Sequence, residues 1–333
     1  MLSLDPARYQ RHALHAEERD WVEKNCYIDI WIEVLHAHGL EPMAMLPFTV
    51  AVDFEGDQWT FFKPPHGELW DLYGVDVQEM TVWRPLLEHT VAQTAAGKLV
   101  STEADAFFLP DTRGTDYRAQ HTKTTIVAAE IDVERRRLGY FHNAGYFTLE
   151  GDDFAGLFRL DAPRDPAFMP LYAELIRVDR ARQAPPDQLR EQAAALLRRH
   201  IRRIPKVNPV ETFAARFAAE LPRLQDEGLP VYHAYAFATI RQLGAAAELA
   251  ALFLRWLSAG PAGVDAAALG GAADAYARLS SGMKSLILKG ARAVNARRPT
   301  DFSPLFLPAI ADWARASDSL RAIASVDAQE RAS

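Results

Sequence analysis

The spacing of apolar and polar residues predicts a helix and several strands in the first half of the 333-residue chain. At residues 26–38 the apolar positions recur with a helical period and therefore share one face. These positions are Ile28, Trp31, Ile32 and Leu35. Runs of β-branched and aromatic residues, such as KTTIVAAEID, predict strands in the same half. We expect this half to combine helices with a sheet.

The second half has a different pattern. Beyond about residue 165, after the proline-rich stretch LDAPRDPAFMP, long runs of alanine, leucine and arginine predict helices. Asn208, Pro209 and Glu211 have the arrangement of a capped helix start. The fold class expected is therefore α+β, with an α+β domain over residues 1–165 followed by an all-helical domain over residues 166–333.

The polar side of the predicted N-terminal helix is a narrow stripe of Asp29, Glu33 and His36. Cys26, the single cysteine of the chain, lies at the start of this stripe, so we expect its thiol to face a cleft or solvent. Free N–H groups at a helix start stabilise a thiolate, which is the reactive form of cysteine. Two points favour an inert thiol: free cysteines are often buried, and the carboxylate of Asp29 disfavours a neighbouring anion.

A cysteine nucleophile needs a histidine within hydrogen-bonding reach and a third group that orients the imidazole. His121 precedes a strand predicted at about residues 122–131, and the returning strand ends near His142 and Asn143. An antiparallel hairpin brings these ends to one edge of the sheet. A strict register would place His121 opposite Phe147, so pairing with Asn143 requires a bulge or a looser loop.

The order Cys26, His121, Asn143 is the order of a papain-like cysteine catalyst. In such a site the cysteine begins a buried helix, the histidine opens a strand and an asparagine follows the next strand. The alternative is a surface histidine beside an ordinary turn asparagine.

Composition and charge narrow the classes of function. The formal net charge of −7 argues against a nucleic-acid-binding protein. The N-terminal residues are charged and interrupted by proline, and no uncharged apolar run reaches about 18 residues, so we expect a cytoplasmic protein that does not cross a membrane. The histidines lack metal-ligand companions at useful spacing, so no metal site is expected.

Three segments resemble a known family: NCYIDIWIEVLHAHGLEP, DAFFLPDTRGTDYRAQHTKTTI and GYFHNAGYF. Over roughly residues 20–160 the chain is similar to an uncharacterised bacterial family related to the N-terminal domain of butirosin biosynthesis protein H. The resemblance implies a papain-like fold, with a central helix packed on an antiparallel sheet. It also implies transfer of an aminoacyl group from the phosphopantetheine thioester of a carrier protein to an amine, with no bound cofactor.

Carried over to this chain, the resemblance makes Cys26 the nucleophile, His121 the base and Asn143 the orienting group. The family favours an aspartate at the third place, and this chain has asparagine. Asp105 matches an acidic position in the strand before the histidine loop; the alternative role of its carboxylate is to bind backbone N–H groups of that loop.

Two further residues complete the expected site. Asn25 is either the N-cap of the helix or, together with the backbone N–H of Cys26, part of an oxyanion hole. We group Asn25, Asp105 and His142 as candidate substrate-binding residues.

The expected partners are an acyl carrier protein and a small-molecule amine acceptor. Carrier proteins are acidic, and the segment LLRRHIRRIPK offers a basic face to one. Its arginines are Arg198, Arg199, Arg202 and Arg203. The alternative is a solvated helix end.

Three functions remain open from the sequence: an acyltransferase, a papain-like amidase or peptidase, and a non-catalytic binding module that retains the fold.

Overall fold

The computed structural model of the protein describes residues 4–162, 171–261 and 263–330. Its backbone forms two compact units, each built from separate stretches of the chain. The first unit comprises Met1–Glu17, Asn25–Pro42 and His66–Gln183. The second comprises Glu18–Lys24, Met43–Pro65 and Ala184–Ser333.

The first unit is an α+β structure around a six-stranded antiparallel sheet with the strand order β1-β6-β2-β3-β4-β5. Its strands are β1 (Asp76–Glu79), β2 (Leu99–Asp105), β3 (Lys123–Asp132), β4 (Arg137–His142), β5 (Gly145–Glu150) and β6 (Ala173–Arg177). Its helices are α1 (Cys26–Ala37), α2 (His66–Tyr73), α3 (Leu86–Ala95) and α4 (Asp152–Leu157). The helix and hairpin expected near Cys26 and His121 are therefore present.

The two faces of the sheet are covered by different helices, because side chains alternate between the faces along each strand. Helix α1 packs against β3, β4 and β5. On the opposite face, buried residues of β2 to β5 form a core with Phe154 of α4, and Leu87 of α3 packs against it. The buried strand residues of that core include Val100, Ile126, Tyr140 and Leu149.

The polar stripe of α1, from which we expected the Cys26 thiol to face a cleft or solvent, is buried at Asp29 and Glu33. The N-terminal segment covers it: both ring nitrogens of buried His15 are hydrogen-bonded, Nδ1 to Glu33 and Nε2 to Asp29. The Tyr9 hydroxyl donates to Glu33 Oε2 over 2.6 Å. Burial acts to raise the pKa of Glu33, but the hydrogen bond and charge of His15 bring that pKa below its ordinary value.

The second unit is helical within the described residues. Its helices are α5 (Pro186–Ile201), α6 (Pro209–Glu227), α7 (Leu229–Ala238), α8 (Ile240–Ser258), α9 (Ala266–Ala296) and α10 (Ser303–Glu330). Asn208 caps α6 as the sequence predicts, accepting from the backbone N–H groups of Val210 and Glu211.

Two short segments from the first 65 residues pack within this helical unit. The indole N–H of Trp21 donates to Ser280 Oγ on α9 over 2.9 Å. The same hydroxyl donates to the carbonyl of Gly244 on α8. Phe54 and Trp59 pack their rings against Phe213 of α6.

The expected domain boundary, at residues 165 and 166, lies outside the described residues. The two units do not correspond to the residues before and after this boundary. Strand β6 follows it and pairs with β1 and β2, while residues 18–24 and 43–65 precede it and pack with the helices.

The stretch Leu229–Ser258 is long and apolar enough to cross a membrane by length and composition. Within its apolar window, however, 67% of the residues are buried inside the protein. Helices α7 and α8 are therefore consistent with core helices of a soluble protein.

Candidate active site

Cys26 is the first residue of α1 and is partly buried. Asn25 precedes it as the N-cap: its side-chain oxygen accepts from the backbone N–H groups of Tyr27 over 3.1 Å and Ile28 over 2.9 Å. Of the two roles considered for Asn25, the structure therefore places its side-chain oxygen in the cap. The capped start leaves the thiol beside the N-terminal end of the helix, where backbone N–H groups stabilise negative charge.

His121 is oriented by Asp105. Its Nδ1 lies 2.6 Å from Oδ2 of Asp105, and its ring stacks on Phe107 with a centroid distance of 4.4 Å. A carboxylate only accepts hydrogen bonds, so Nδ1 carries the proton and Nε2 is left as the basic nitrogen. The His121 side chain is 69% exposed, which leaves the imidazole accessible to a substrate.

Asp105 has a second contact that agrees with the alternative role expected for it. Its Oδ1 accepts from the backbone N–H of Phe107 over 3.1 Å. The carboxylate therefore holds both the histidine and the start of the loop that leads to it. Asp105 is opposite Lys123 in the pairing of β2 with β3, and His121 is two residues before Lys123, so strand alternation places both side chains on one face.

Asn143 does not pair with His121 in this structure. It lies between the end of β4 and the start of β5, in a two-residue turn with a φ of 44°. Val127 of β3 is opposite Phe141 of β4, and continuing this register places Asn143 level with Thr125, four residues from His121. The register difficulty anticipated from the sequence is therefore real: β3 has an irregularity between Ala128 and Glu130, but it shifts the register by only one residue and does not bring Asn143 to His121.

His142 is a buried structural residue and is not available to a substrate. Its Nδ1 lies 2.6 Å from Asp111 Oδ2 and its Nε2 lies 2.8 Å from Thr124 Oγ1. The Tyr140 hydroxyl donates to the other oxygen of Asp111, and burial and the charge of Asp111 raise the pKa of Tyr140 well above its ordinary value. These contacts attach the loop before His121 to β4.

The C-terminal end of α1 can be placed against the sheet. His38, just beyond the end of α1, lines a cavity of about 440 Å³ with Leu99 and Ala129. Leu99 begins β2 and Asp105 ends it. The C-terminal end of α1 therefore lies near the start of β2, and Asp105 is at the other end of that strand.

The thiol and the imidazole are not hydrogen-bonded to each other within the part of the chain that the structure describes. Such contacts often form only when the substrate is bound. The arrangement supplies a thiol at a capped helix start and an imidazole–carboxylate pair in which the carboxylate binds Nδ1, and no described residue hydrogen-bonds to Nε2. Among the described residues, no group of three or more histidine, cysteine or acidic side chains is arranged to hold a metal ion.

Comparison with known families matches nearly the whole chain in two parts. The sequence profile of the DUF1839 N-terminal domain matches residues 10–178, and that of the DUF1839 C-terminal domain matches residues 186–322. No protein with a curated description matches the chain. The two matched ranges meet between β6 and α5, so β6 falls in the N-terminal match together with the rest of the sheet.

Proposed function

The chain belongs to the DUF1839 family, and we propose that it is a cysteine-dependent acyltransferase of papain-like design. Cys26 takes an acyl or aminoacyl group from the phosphopantetheine thioester of a carrier protein and passes it to an amine. The observation that carries this proposal is the hydrogen bond between Asp105 and His121. The papain-like assignment is supported by a central helix on an antiparallel sheet and by the sequence resemblance.

The first half-reaction forms an acyl-enzyme. The Cys26 sulfur attacks the thioester carbonyl after its proton passes to His121 Nε2. When the tetrahedral intermediate collapses, the bond between the carbonyl carbon and the carrier's sulfur breaks, and His121 returns the proton to the leaving thiolate. The backbone N–H of Cys26 is the proposed donor to the oxyanion, because Asn25 occupies the next two N–H groups of the helix.

The second half-reaction releases the acyl group. A neutral amine attacks the Cys26 thioester, an amide bond forms, and the carbon–sulfur bond to Cys26 breaks. His121 Nε2 takes the proton that the amine nitrogen loses, and the imidazolium then balances the Cys26 thiolate. Asp105 stabilises that imidazolium and holds Nε2 towards the reacting atoms.

The proposed donor also implies a docking surface for an acidic carrier protein. Arg199, Arg202 and Arg203 are exposed at the end of α5, and Arg198 donates to the carbonyl of Gly263. Reversing the charge at Arg202 and Arg203 together should weaken carrier binding at low salt at least tenfold. Equal reversal at Arg292 and Arg298, which are also exposed, is the control. Equal binding by both double variants would contradict the docking surface.

The rate of Cys26 alkylation by iodoacetamide tests the central pair. Wild type should react at pH about 6.5 at least ten times faster than His121→Ala, because the imidazole stabilises the thiolate. At pH about 9.5 the two rates should converge, since an ordinary thiol is also ionised there. Equal rates at both pH values would contradict the catalytic pair and favour a binding module.

Trapping then identifies the reaction. Incubation with an acyl thioester of pantetheine should add the acyl mass to Cys26, neutral hydroxylamine should remove that mass, and Cys26→Ala should form no adduct. Adding a primary amine distinguishes the transferase from the amidase or peptidase alternative. Discharge to an amide supports the transferase, and discharge only to the free acid supports a hydrolase.

A further inference from the structure

A second polar cluster begins at the residue after Cys26. The Glu174 carboxylate on β6 is only 1% exposed. Tyr27 donates to its Oε2 over 2.8 Å, and Tyr172 donates to its Oε1 over 2.9 Å. Nε2 of His66 lies 2.7 Å from the Tyr27 hydroxyl oxygen and 3.6 Å from Glu174 Oε1. We call these four side chains the Glu174 cluster.

The number of protons fixes the direction of the hydrogen bonds in the Glu174 cluster. A tyrosine has one hydroxyl proton, and Tyr27 gives it to Glu174. The contact between the Tyr27 oxygen and His66 therefore requires the proton on His66 Nε2. Burial and the charge of Glu174 raise the pKa of Tyr27 well above its ordinary value, so this phenol remains a donor at neutral pH.

The cluster connects the first turn of α1 to β6, an inner strand of the sheet. Tyr27 is held at both ends, because its backbone N–H donates to Asn25 and its hydroxyl donates to Glu174. The backbone of Glu174 is held in place because β6 pairs with a strand on each side. Glu174 is opposite Glu79 of β1 and Ser101 of β2. Rotation of the first helical turn would break one of these bonds.

We infer that Tyr27, Glu174 and His66 are positioning residues for the Cys26 thiol, acting by fixing the rotation of the helix turn that carries it. This inference rests on the proposed function. Displacing a reacting group by about 1 Å costs on the order of 100-fold in rate. Loss of the Tyr27 hydroxyl therefore reduces the advantage that the thiol gains from His121 without removing either residue.

Two tyrosines on one carboxylate provide a matched test. Tyr27→Phe and Tyr172→Phe each remove one hydroxyl donor from Glu174, but only Tyr27 belongs to α1. With the full-length chain, Tyr27→Phe should slow Cys26 alkylation by iodoacetamide at pH about 6.5 at least fivefold, and Tyr172→Phe should stay within about twofold of wild type. At pH about 9.5 all three rates should agree, because the thiolate no longer depends on its surroundings.

Variants at His66 supply a rescue. His66→Gln retains an N–H that can donate to the Tyr27 oxygen, whereas His66→Leu does not. The expected order of alkylation rates at pH about 6.5 is wild type, then His66→Gln, then His66→Leu. Equal rates for these two variants would overturn the role assigned to His66.

Unfolding is recognised separately. A variant that fails to fold exposes its thiol and reacts at pH about 9.5 as fast as urea-denatured wild type. If Tyr27→Phe fails to fold, Glu174→Ala replaces it. Its alkylation rate at pH about 6.5 is then compared with that of Tyr172→Phe. Equal effects of Tyr27→Phe and Tyr172→Phe, or no effect of Tyr27→Phe, overturn the inference alone. Equal rates for wild type and His121→Ala overturn both the proposed function and the inference.

Discussion

Oδ2 of Asp105 lies 2.6 Å from Nδ1 of His121, although the two residues are 16 positions apart in the chain. Asp105 ends β2, and His121 is two residues before Lys123, the first residue of β3. The antiparallel pairing of these strands brings the two side chains to the same face. The proposed reaction depends on this pair, because an imidazole whose Nδ1 is held by a carboxylate presents Nε2 in a fixed direction.

Removal of the Asp105 carboxylate should therefore impair catalysis more than folding. We expect Asp105→Ala to lower kcat/KM for acyl transfer by about 10²- to 10⁴-fold, since His121 loses its preferred tautomer and the charge that stabilises its imidazolium. Steady-state kinetics with an acyl thioester measures the effect, and circular dichroism checks that the variant is folded. Activity within about threefold of wild type would exclude Asp105 as the orienting residue.

Asn143 should be dispensable for activity but not for the turn. At a φ of 44°, glycine is unstrained and alanine is disfavoured by roughly 1 kcal/mol. We expect Asn143→Gly to keep full activity and Asn143→Ala to lose about 1 kcal/mol in the free energy of unfolding measured with urea. A large loss of activity in Asn143→Gly would restore asparagine as the third catalytic group.

Glu33 should stabilise the protein at neutral pH and lose this effect in acid. Its pKa is lowered in the folded protein, so its contribution is complete above the unfolded value of about 4.3 and disappears as the pH falls through the lower folded value. We expect Glu33→Gln to lower the free energy of unfolding at pH 7 by about 3 kcal/mol, because His15 loses a buried partner.

Urea titration at a series of pH values between about 2.5 and 7 tests the Glu33 prediction. The difference between wild type and Glu33→Gln should shrink as the pH falls below about 4.3. The exposed carboxylate of Glu134 provides the control Glu134→Gln, which should leave the profile unchanged. A difference that does not vary with pH would contradict the assignment.

Two glycines in the second unit should respond in opposite ways to alanine. A Cβ at Gly244 on α8 would overlap the Trp21 ring, whereas a Cβ at Gly282 on α9 would meet no atom within 4 Å. Gly244→Ala should therefore cost about 1 to 3 kcal/mol. Gly282→Ala should gain up to about 1 kcal/mol from helix propensity. Thermal unfolding compares them, and a destabilised Gly282→Ala would contradict the packing described.

Two buried tyrosines form a similar pair. Tyr140 donates to Asp111, whereas the Tyr276 hydroxyl is buried with no hydrogen-bond partner among the described residues. Tyr140→Phe should lower the free energy of unfolding by about 1 to 3 kcal/mol. Tyr276→Phe should be neutral or should raise it by about 1 kcal/mol, because an unsatisfied hydroxyl is removed. Urea unfolding of both variants measures the contrast.

Local features of the site could be predicted from the sequence because they depend on spacing within short segments. Helix α1 was expected at residues 26–38 and spans Cys26–Ala37, and the strand expected at about 122–131 spans Lys123–Asp132. The N-cap role of Asn25 is likewise a matter of neighbouring backbone groups.

The remaining features depend on contacts between distant segments, which spacing does not encode. Asn143 follows a strand as expected, but β5 begins two residues later and turns it away from β3. The stripe of Asp29 and Glu33 has the pattern of an exposed face, and it is buried because the N-terminal segment, with His15 and Tyr9, packs over it. A signal for Asp105 was available in the sequence. Asp105 ends one strand and His121 precedes the next, and both belong to the odd-numbered positions whose side chains share one face of the sheet.

Trp21 and Ser280 are 259 positions apart, and Asp20 and Glu248 are 228 apart. During synthesis at about 5 to 20 residues per second, roughly 13 to 50 seconds pass between the appearance of Trp21 and that of Ser280. Throughout this interval, residues 18–24 and 43–65, which flank α1, lack the helices that they finally pack against. The nascent chain therefore has to protect Trp21, Phe54 and Trp59 from aggregation until α6, α8 and α9 have left the ribosome, so the segments that precede and follow α1 in the sequence reach their final packing late.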